Sequence, residues 1–200
     1  MKRIVFTAMA LCLLLALSIS AQDMGMKNKM MLGAYAGYTI GMGDAFDDVE
    51  TAHYKWESSA TLNFGANFHY GVAPKIMVGA DFFAWMWKFE AEAVGETPGF
   101  EDLGGDETNL QFAILGSALY HAYTAEKADL FLQAGIGPHF MDGGEGASST
   151  EFGIMLGGFY KYMVSPKVGI FFMPRWHMLF SDPSAMLIQA SAGVSIPLGN

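Results

Sequence analysis

Three groups of residues in this 200-residue chain have side chains able to do chemistry. The first is a set of ionisable and amide residues: Asp81, Arg175, Asn67, Gln133, Asp129, Lys161 and Glu151. Each is costly to bury alone, but paired and hydrogen-bonded such groups can sit away from water. Arg175 therefore needs a carboxylate, and Asp81 is the expected one. The second group is His177 with Ser181 and Asp182, a local coincidence of base, hydroxyl and acid. Nucleophilic catalysis needs a base beside the hydroxyl and a third group to orient it. Neither a His-x-Ser pair nor a nucleophile elbow is present, so no catalytic residue is expected. The third group is the histidines His53, His69, His121, His139 and His177. None stand at i, i+2, the spacing that sets two ligands on one strand face, so no metal and no cofactor are expected.

The elements that must position these residues are strands. In residues 59–71, Ala60, Leu62, Phe64, Ala66, Phe68 and Tyr70 alternate with Ser59, Thr61, Asn63, Gly65, Asn67, His69 and Gly71. Strand side chains point to opposite faces in turn, so one wall has an apolar surface and a small or polar one. The pattern recurs in 31–42, 76–88, 109–121, 128–141, 150–163, 168–180 and 186–198. Connections alternate between tight turns at 73–75, 124–127 and 165–167 and longer loops at 43–57, 90–108, 142–149 and 181–185. Pro138 and Pro174 interrupt the rows. Proline lacks a ladder donor, so each predicts a bulge or a weak pairing point. Counted up from the tight turns, Lys161, Asp129, His69 and His121 fall near that end. Asp81, Asn67, Gln133 and Arg175 fall at mid-depth, and Glu151 lies higher.

Met1-Lys2-Arg3 followed by an apolar run and Ser18-Ile19-Ser20-Ala21 reads as an export signal cleaved after residue 21. Residues 22–30 are then a short periplasmic segment and 31–198 the folded domain. Cys12 would leave with the leader, which excludes disulfides and thiolate chemistry from the mature chain. Losing Lys2 and Arg3 takes the net charge from −9 to −11, against nucleic acid as a partner. With 16% charged residues and 24 glycines, the composition suits packed strands better than helices. No later run reaches ~18 apolar residues, so no membrane-spanning helix is expected.

Strands of ~9–11 residues can cross a bilayer, but only if the sheet closes, because lipid cannot satisfy a free edge. The fold expected is an all-β, eight-stranded antiparallel up-and-down transmembrane β-barrel. Its apolar rows face lipid, with Tyr38, Tyr70, Tyr120, Tyr160, Tyr162 and Trp176 near the interfaces. Short turns face the periplasm and long loops face outward. An eight-strand interior is just wide enough for side chains to fill, so a plugged lumen is expected. The soluble alternative is a lipocalin-type barrel with the apolar rows inside.

The leader, the turns Pro74-Lys75 and Pro166-Lys167, and the ending Ala192-Gly193-Val194-Ser195-Ile196-Pro197-Leu198 resemble the small porin-like outer-membrane β-barrels of Gram-negative bacteria. That family includes the opacity-type surface proteins. Many members end in an aromatic residue read by the barrel-assembly machinery; this chain ends Leu198-Gly199-Asn200. The resemblance implies residence in the cell outer membrane, with its lipids, lipopolysaccharide and the assembly machinery as partners. The role expected is non-enzymatic, structural or adhesion-like, with an extracellular ligand or host surface met by loops 43–57 and 90–108. Those loops are acidic, with Asp44, Asp47, Asp48 and Glu50 in one and Glu90, Glu92, Glu96, Glu101, Asp102, Asp106 and Glu107 in the other. They match no EF-hand; a weak divalent-cation bridge to lipopolysaccharide and a sticky tip at Phe100 and Leu103 are open readings. The alternative is a narrow channel or hydrophobic-ligand barrel, with Phe83, Trp85, Trp87 and Phe171 lining a cavity in the outer half. A lipid A-modifying enzyme built on His177 is a third reading.

Overall fold

Strands form wherever the two-row alternation runs. A computed structural model of the chain describes residues 25–42, 49–50, 54–58, 61–93, 107–142, 148–181 and 185–198. The expected leader, the loop tips, His53, Phe100, Leu103 and Asp182 lie outside these residues, whereas Glu50, Glu90, Glu92 and Glu107, expected in loops 43–57 and 90–108, fall within strands. The described strands are β1 (Met30–Met42), β2 (Val49–Glu50), β3 (Tyr54–Ser58), β4 (Thr61–Ala73), β5 (Ile76–Ala93), β6 (Glu107–Thr124), β7 (Ala128–Asp142), β8 (Ser148–Ser165), β9 (Val168–Leu179) and β10 (Ala185–Leu198). No helix occurs among the described residues.

Eight of these strands make a closed antiparallel barrel in the order β1, β4, β5, β6, β7, β8, β9, β10, with β10 back on β1. The short strands β2 and β3 pair with each other, and β3 lies along the far end of β5 (Ser58↔Phe89). The row facing out is the apolar one: Ile136, Phe152 and Val194 are 58%, 57% and 51% exposed. The row facing in carries Asn63, Asp81, Gln133, Arg175 and Ser191 beside buried rings. A soluble barrel would turn these rows the other way, since exposed apolar surface on this scale is rare on a solvated protein. Tyr38, Tyr70, Tyr160 and Tyr162 are on the outside, as the girdle requires.

The bulges are not at the prolines. Register shifts occur at Gly71/Ala73, His121/Tyr123 and Met163/Ser165, each at the edge of a short turn. Pro138 stays in register with Phe152 on β8, and Pro174 with Ala190 on β10. On its other side each proline thins the ladder: pairing skips from Ala113↔His139 to Gly116↔Ile136, and from Gly157↔Arg175 to Tyr160↔Phe172. The missing N–H removes a bond without adding a residue, so the strand weakens but does not shift.

Residues 25–29 do more than lead into β1. Met26 N–H donates to the Pro74 carbonyl (3.0 Å), Asn28 N–H to Gly71 (2.8 Å), and Gly71 N–H to Lys29 (2.7 Å). This lays the segment over the β4–β5 turn and buries Met26 in the same apolar cluster as Met31 and Met77. Gly71 is required there, because a Cβ would stand 2.7 Å from the Met26 carbonyl carbon.

Candidate functional site: the packed lumen

The barrel wall holds the inward side chains in strata. At mid-depth, β9 supplies Arg175 and β5 supplies Asp81, both fully buried and joined as an ion pair. The guanidinium is used in three directions. Nη2 donates to Asp81, Nη1 to the Tyr35 hydroxyl (2.9 Å), and Nε to Gln133 Oε1 (3.0 Å). Gln133 Nε2 returns to Asp81 Oδ2 (3.0 Å), and the Ser117 hydroxyl donates to that same oxygen. His69 Nε2 contacts Ser117 Oγ at 2.9 Å. Tyr35 donates onward to the Phe82 carbonyl (3.3 Å) and lies under the guanidinium at 5.2 Å. Each nitrogen of the guanidinium and both carboxylate oxygens thus have a partner, the kind of pairing under which a buried charge pair is tolerable.

Toward the short turns lies a layer of rings. Phe131 meets Phe159 edge-on at 5.7 Å, Phe159 stacks on Phe171 at 4.6 Å, and Tyr35 meets Phe171 at 6.3 Å. Below it, Asp129 pairs with Lys161 (3.0 Å), His121 Nε2 (3.0 Å) and Thr124 Oγ1 (2.7 Å). A cavity of about 660 Å³ opens at this mouth, lined in part by Met26, Met31, Met77, His121, Asp129 and Lys161.

Toward the long loops, Phe83 stacks on Trp85 (5.2 Å) and lies 4.9 Å from His177. His139 meets His177 at 5.7 Å and Trp85 at 6.2 Å. His177 Nε2 contacts Gln189 Oε1 (3.2 Å). Beside them Ser191 donates to Asn63 Oδ1 (2.8 Å) and Asn63 Nδ2 to Thr39 (3.0 Å). Both nitrogens of His139, Nδ1 of His177, Trp85 Nε1 and Gln189 Nε2 are buried without a hydrogen-bond partner.

The structure brings together Asp81, Arg175 and Gln133 at mid-depth and Asp129 with Lys161 at the mouth. Asn67 does not join: both atoms of its amide are buried without partners. Asn67 stands directly across from Asp81 in the β4–β5 ladder, yet its carboxamide lies against Gly33, and Gln133 is the amide that bridges the pair. Glu151 sits opposite His139 on β8, half-exposed and away from the network. His69 belongs to the mid-depth group, not to the mouth: its Nε2 lies 2.9 Å from Ser117 Oγ and 3.5 Å from Asp81 Oδ2. The aromatic set divides as well. Phe83 and Trp85 pack together in the outer half, while Phe171 lies in the turn-side layer, since β9 starts only three residues before it. The Trp87 side chain lies outside the described residues. Tyr35 and Ser117 were absent from the expected set, although both stand on the inward row; an inward tyrosine between small residues was the available signal. The His177 ring points into the lumen toward Gln189, and Asp182 lies outside the described residues. No group of three or more His, Cys, Asp or Glu able to hold a metal occurs among the described residues.

Apolar outside, polar and filled inside, closed and antiparallel: the fold is that of a small eight-stranded outer-membrane β-barrel. No protein-family model matches the chain, and no curated protein does. Among solved structures it is similar to Neisserial surface protein A, at 17% identity and a TM-score of 0.54, over 84% of this chain and 96% of that one. It is also similar to Ail, the attachment invasion locus protein of Yersinia pestis, at 11% identity and a TM-score of 0.52, over 86% of this chain and all of that one. Ail bound to the heparin analogue sucrose octasulfate gives 12% and 0.52.

Proposed function

We propose that the chain is a non-enzymatic barrel of the cell outer membrane, exported by a leader cleaved after residue 21, with a closed lumen and its working surface in the long loops. The observation that carries this reading is the saturated Arg175–Asp81 network, which crosses the lumen from β9 to β5 above a layer of stacked rings. A lumen crossed by a buried ion pair is a strut rather than a path. Chemistry and contact are then left to loops 43–57 and 90–108, whose acids favour a cationic partner or divalent ions shared with lipopolysaccharide. The attachment protein to which the fold is similar supports a surface-interaction role. Insertion would depend on the barrel-assembly machinery.

The test has two parts. Outer membranes are extracted in detergent and run on a gel with and without boiling; the folded barrel is expected to migrate differently until boiled. Purified barrel in planar bilayers is expected to give no stable conductance. Steady conductance, or uptake of an apolar ligand quenching Trp85, would favour the channel and hydrophobic-ligand readings instead. Unchanged lipid A in cells carrying His177→Ala is expected, and altered lipid A would revive the enzymatic one.

A further inference from the structure

Lysines recur around the short-turn end of this barrel. The strands that leave the short-turn end are β1, β5, β7 and β9, and the residue just before each of them is a lysine: Lys29, Lys75, Lys127 and Lys167. In the barrel order these strands alternate with the returning ones, so the lysines recur at every second strand around the whole rim. Their backbones are pinned. The carbonyls of Lys29, Lys75 and Lys127 accept from Gly71 (2.7 Å), His121 (2.8 Å) and Met163 (2.7 Å), and Lys167 N–H donates to Ser165 Oγ (3.3 Å). Among the described residues their ammonium groups meet no ion-pair partner, in contrast to Lys161, which turns inward to Asp129. Lys29, Lys127 and Lys167 are exposed, and Lys75 is half-exposed with its Nζ 5.9 Å from the Tyr120 ring centre. Among the described residues at this rim the acids are Glu126 and the already paired Asp129.

The rim lies where the outward apolar rows end, at Val72, Ile76, Val164, Val168 and Leu198. We propose that the four lysines form a collar that binds the phosphates of anionic phospholipids in the leaflet at the short-turn end. A soluble anion would need the ammonium groups to converge on one pocket; a ring spread round the circumference instead meets headgroups on every side. Lysine stems cover the last apolar surface while the heads reach phosphate. The inference rests on the membrane reading above.

The test uses barrels folded into nanodiscs of equal phosphatidylcholine and phosphatidylglycerol, with retained lipids counted by native mass spectrometry. Three proteins are compared: wild type, a variant with all four lysines changed to Gln (K29Q, K75Q, K127Q, K167Q), and one with all four changed to Arg. Phosphatidylglycerol is expected to be enriched on the wild type and the Arg variant, about fivefold per engaged lysine, from ~1 kcal/mol each at ~1.4 kcal/mol per tenfold. The Gln variant is expected to hold both lipids equally. Undiminished enrichment on the Gln variant, or none on the wild type, overturns the collar. The same samples in pure phosphatidylcholine are run with and without boiling. A gel shift there without lipid preference removes the collar alone, while no shift removes the membrane reading with it.

Discussion

The middle of the lumen and its outer stratum are built from similar parts with opposite results. At mid-depth, Asp81, Arg175, Gln133, Ser117 and Tyr35 close a circuit in which every nitrogen and oxygen of the ion pair has a hydrogen-bond partner. Toward the long loops, His139, His177, Trp85 and Gln189 are equally buried, yet several of their polar atoms meet nothing. There the rings hold each other by stacking and edge contacts with Phe83, and the orphaned nitrogens are a cost that this packing offsets. Polarity on the inward row is therefore not by itself a plug. The middle is specified by direction of donors and acceptors, the outer stratum by shape.

The largest expected effect breaks the middle. Asp81→Ala leaves a buried guanidinium uncompensated and should cost about 3–5 kcal/mol, read from the urea midpoint of the refolded barrel in detergent. Pairing Asp81→Leu with Arg175→Met should recover most of that loss, because removing both charges removes the penalty as well. A double variant as unstable as the single one would show that the circuit supplies more than charge balance. Next, Phe159→Ala takes a fully buried ring from the stack between Phe131 and Phe171 and should cost about 3 kcal/mol by the same assay. In the outer stratum the sign reverses. His139→Phe keeps a ring beside Trp85 and deletes two orphaned nitrogens, so stability should rise by about 1 kcal/mol. A loss above ~2 kcal/mol would make the outer stratum as specific as the middle. Smallest of all, Glu151→Gln at the half-exposed edge should change the midpoint by less than about 0.5 kcal/mol.

Much of this was legible in the chain because period-two alternation is a one-dimensional signal. The strand limits at 31–42 and 76 onward, and the inward direction of Asp81 and Arg175, follow from counting by two. Depth was less legible. His69, counted to the turn end, contacts Ser117 and lies 3.5 Å from Asp81, while Phe171, expected in the outer half, lies in the turn-side layer because β9 starts close beneath it. Partner choice among amides was not legible: Asn67 and Gln133 are equivalent in a sequence, and although Asn67 stands directly across from Asp81 it is Gln133 that bonds both Arg175 and Asp81. Nor was the docking of Met26, which depends on hydrogen bonds to a turn more than forty residues away that no local pattern records.

The pairing of β1 with β10, from Met30↔Leu198 to Met42↔Met186, joins the first strand made to the last. The central circuit has the same reach, since Arg175 is 140 residues from Tyr35 and 94 from Asp81. No nascent stretch short of β9 holds the parts of its own interior, and without β10 the wall keeps two unpaired edges. In hydrocarbon each unpaired backbone group costs several kcal/mol, so a partial wall has no resting place there. Contacts this distant are also slow to form. Closure of the wall and completion of its central circuit therefore both depend on the last strands of the barrel.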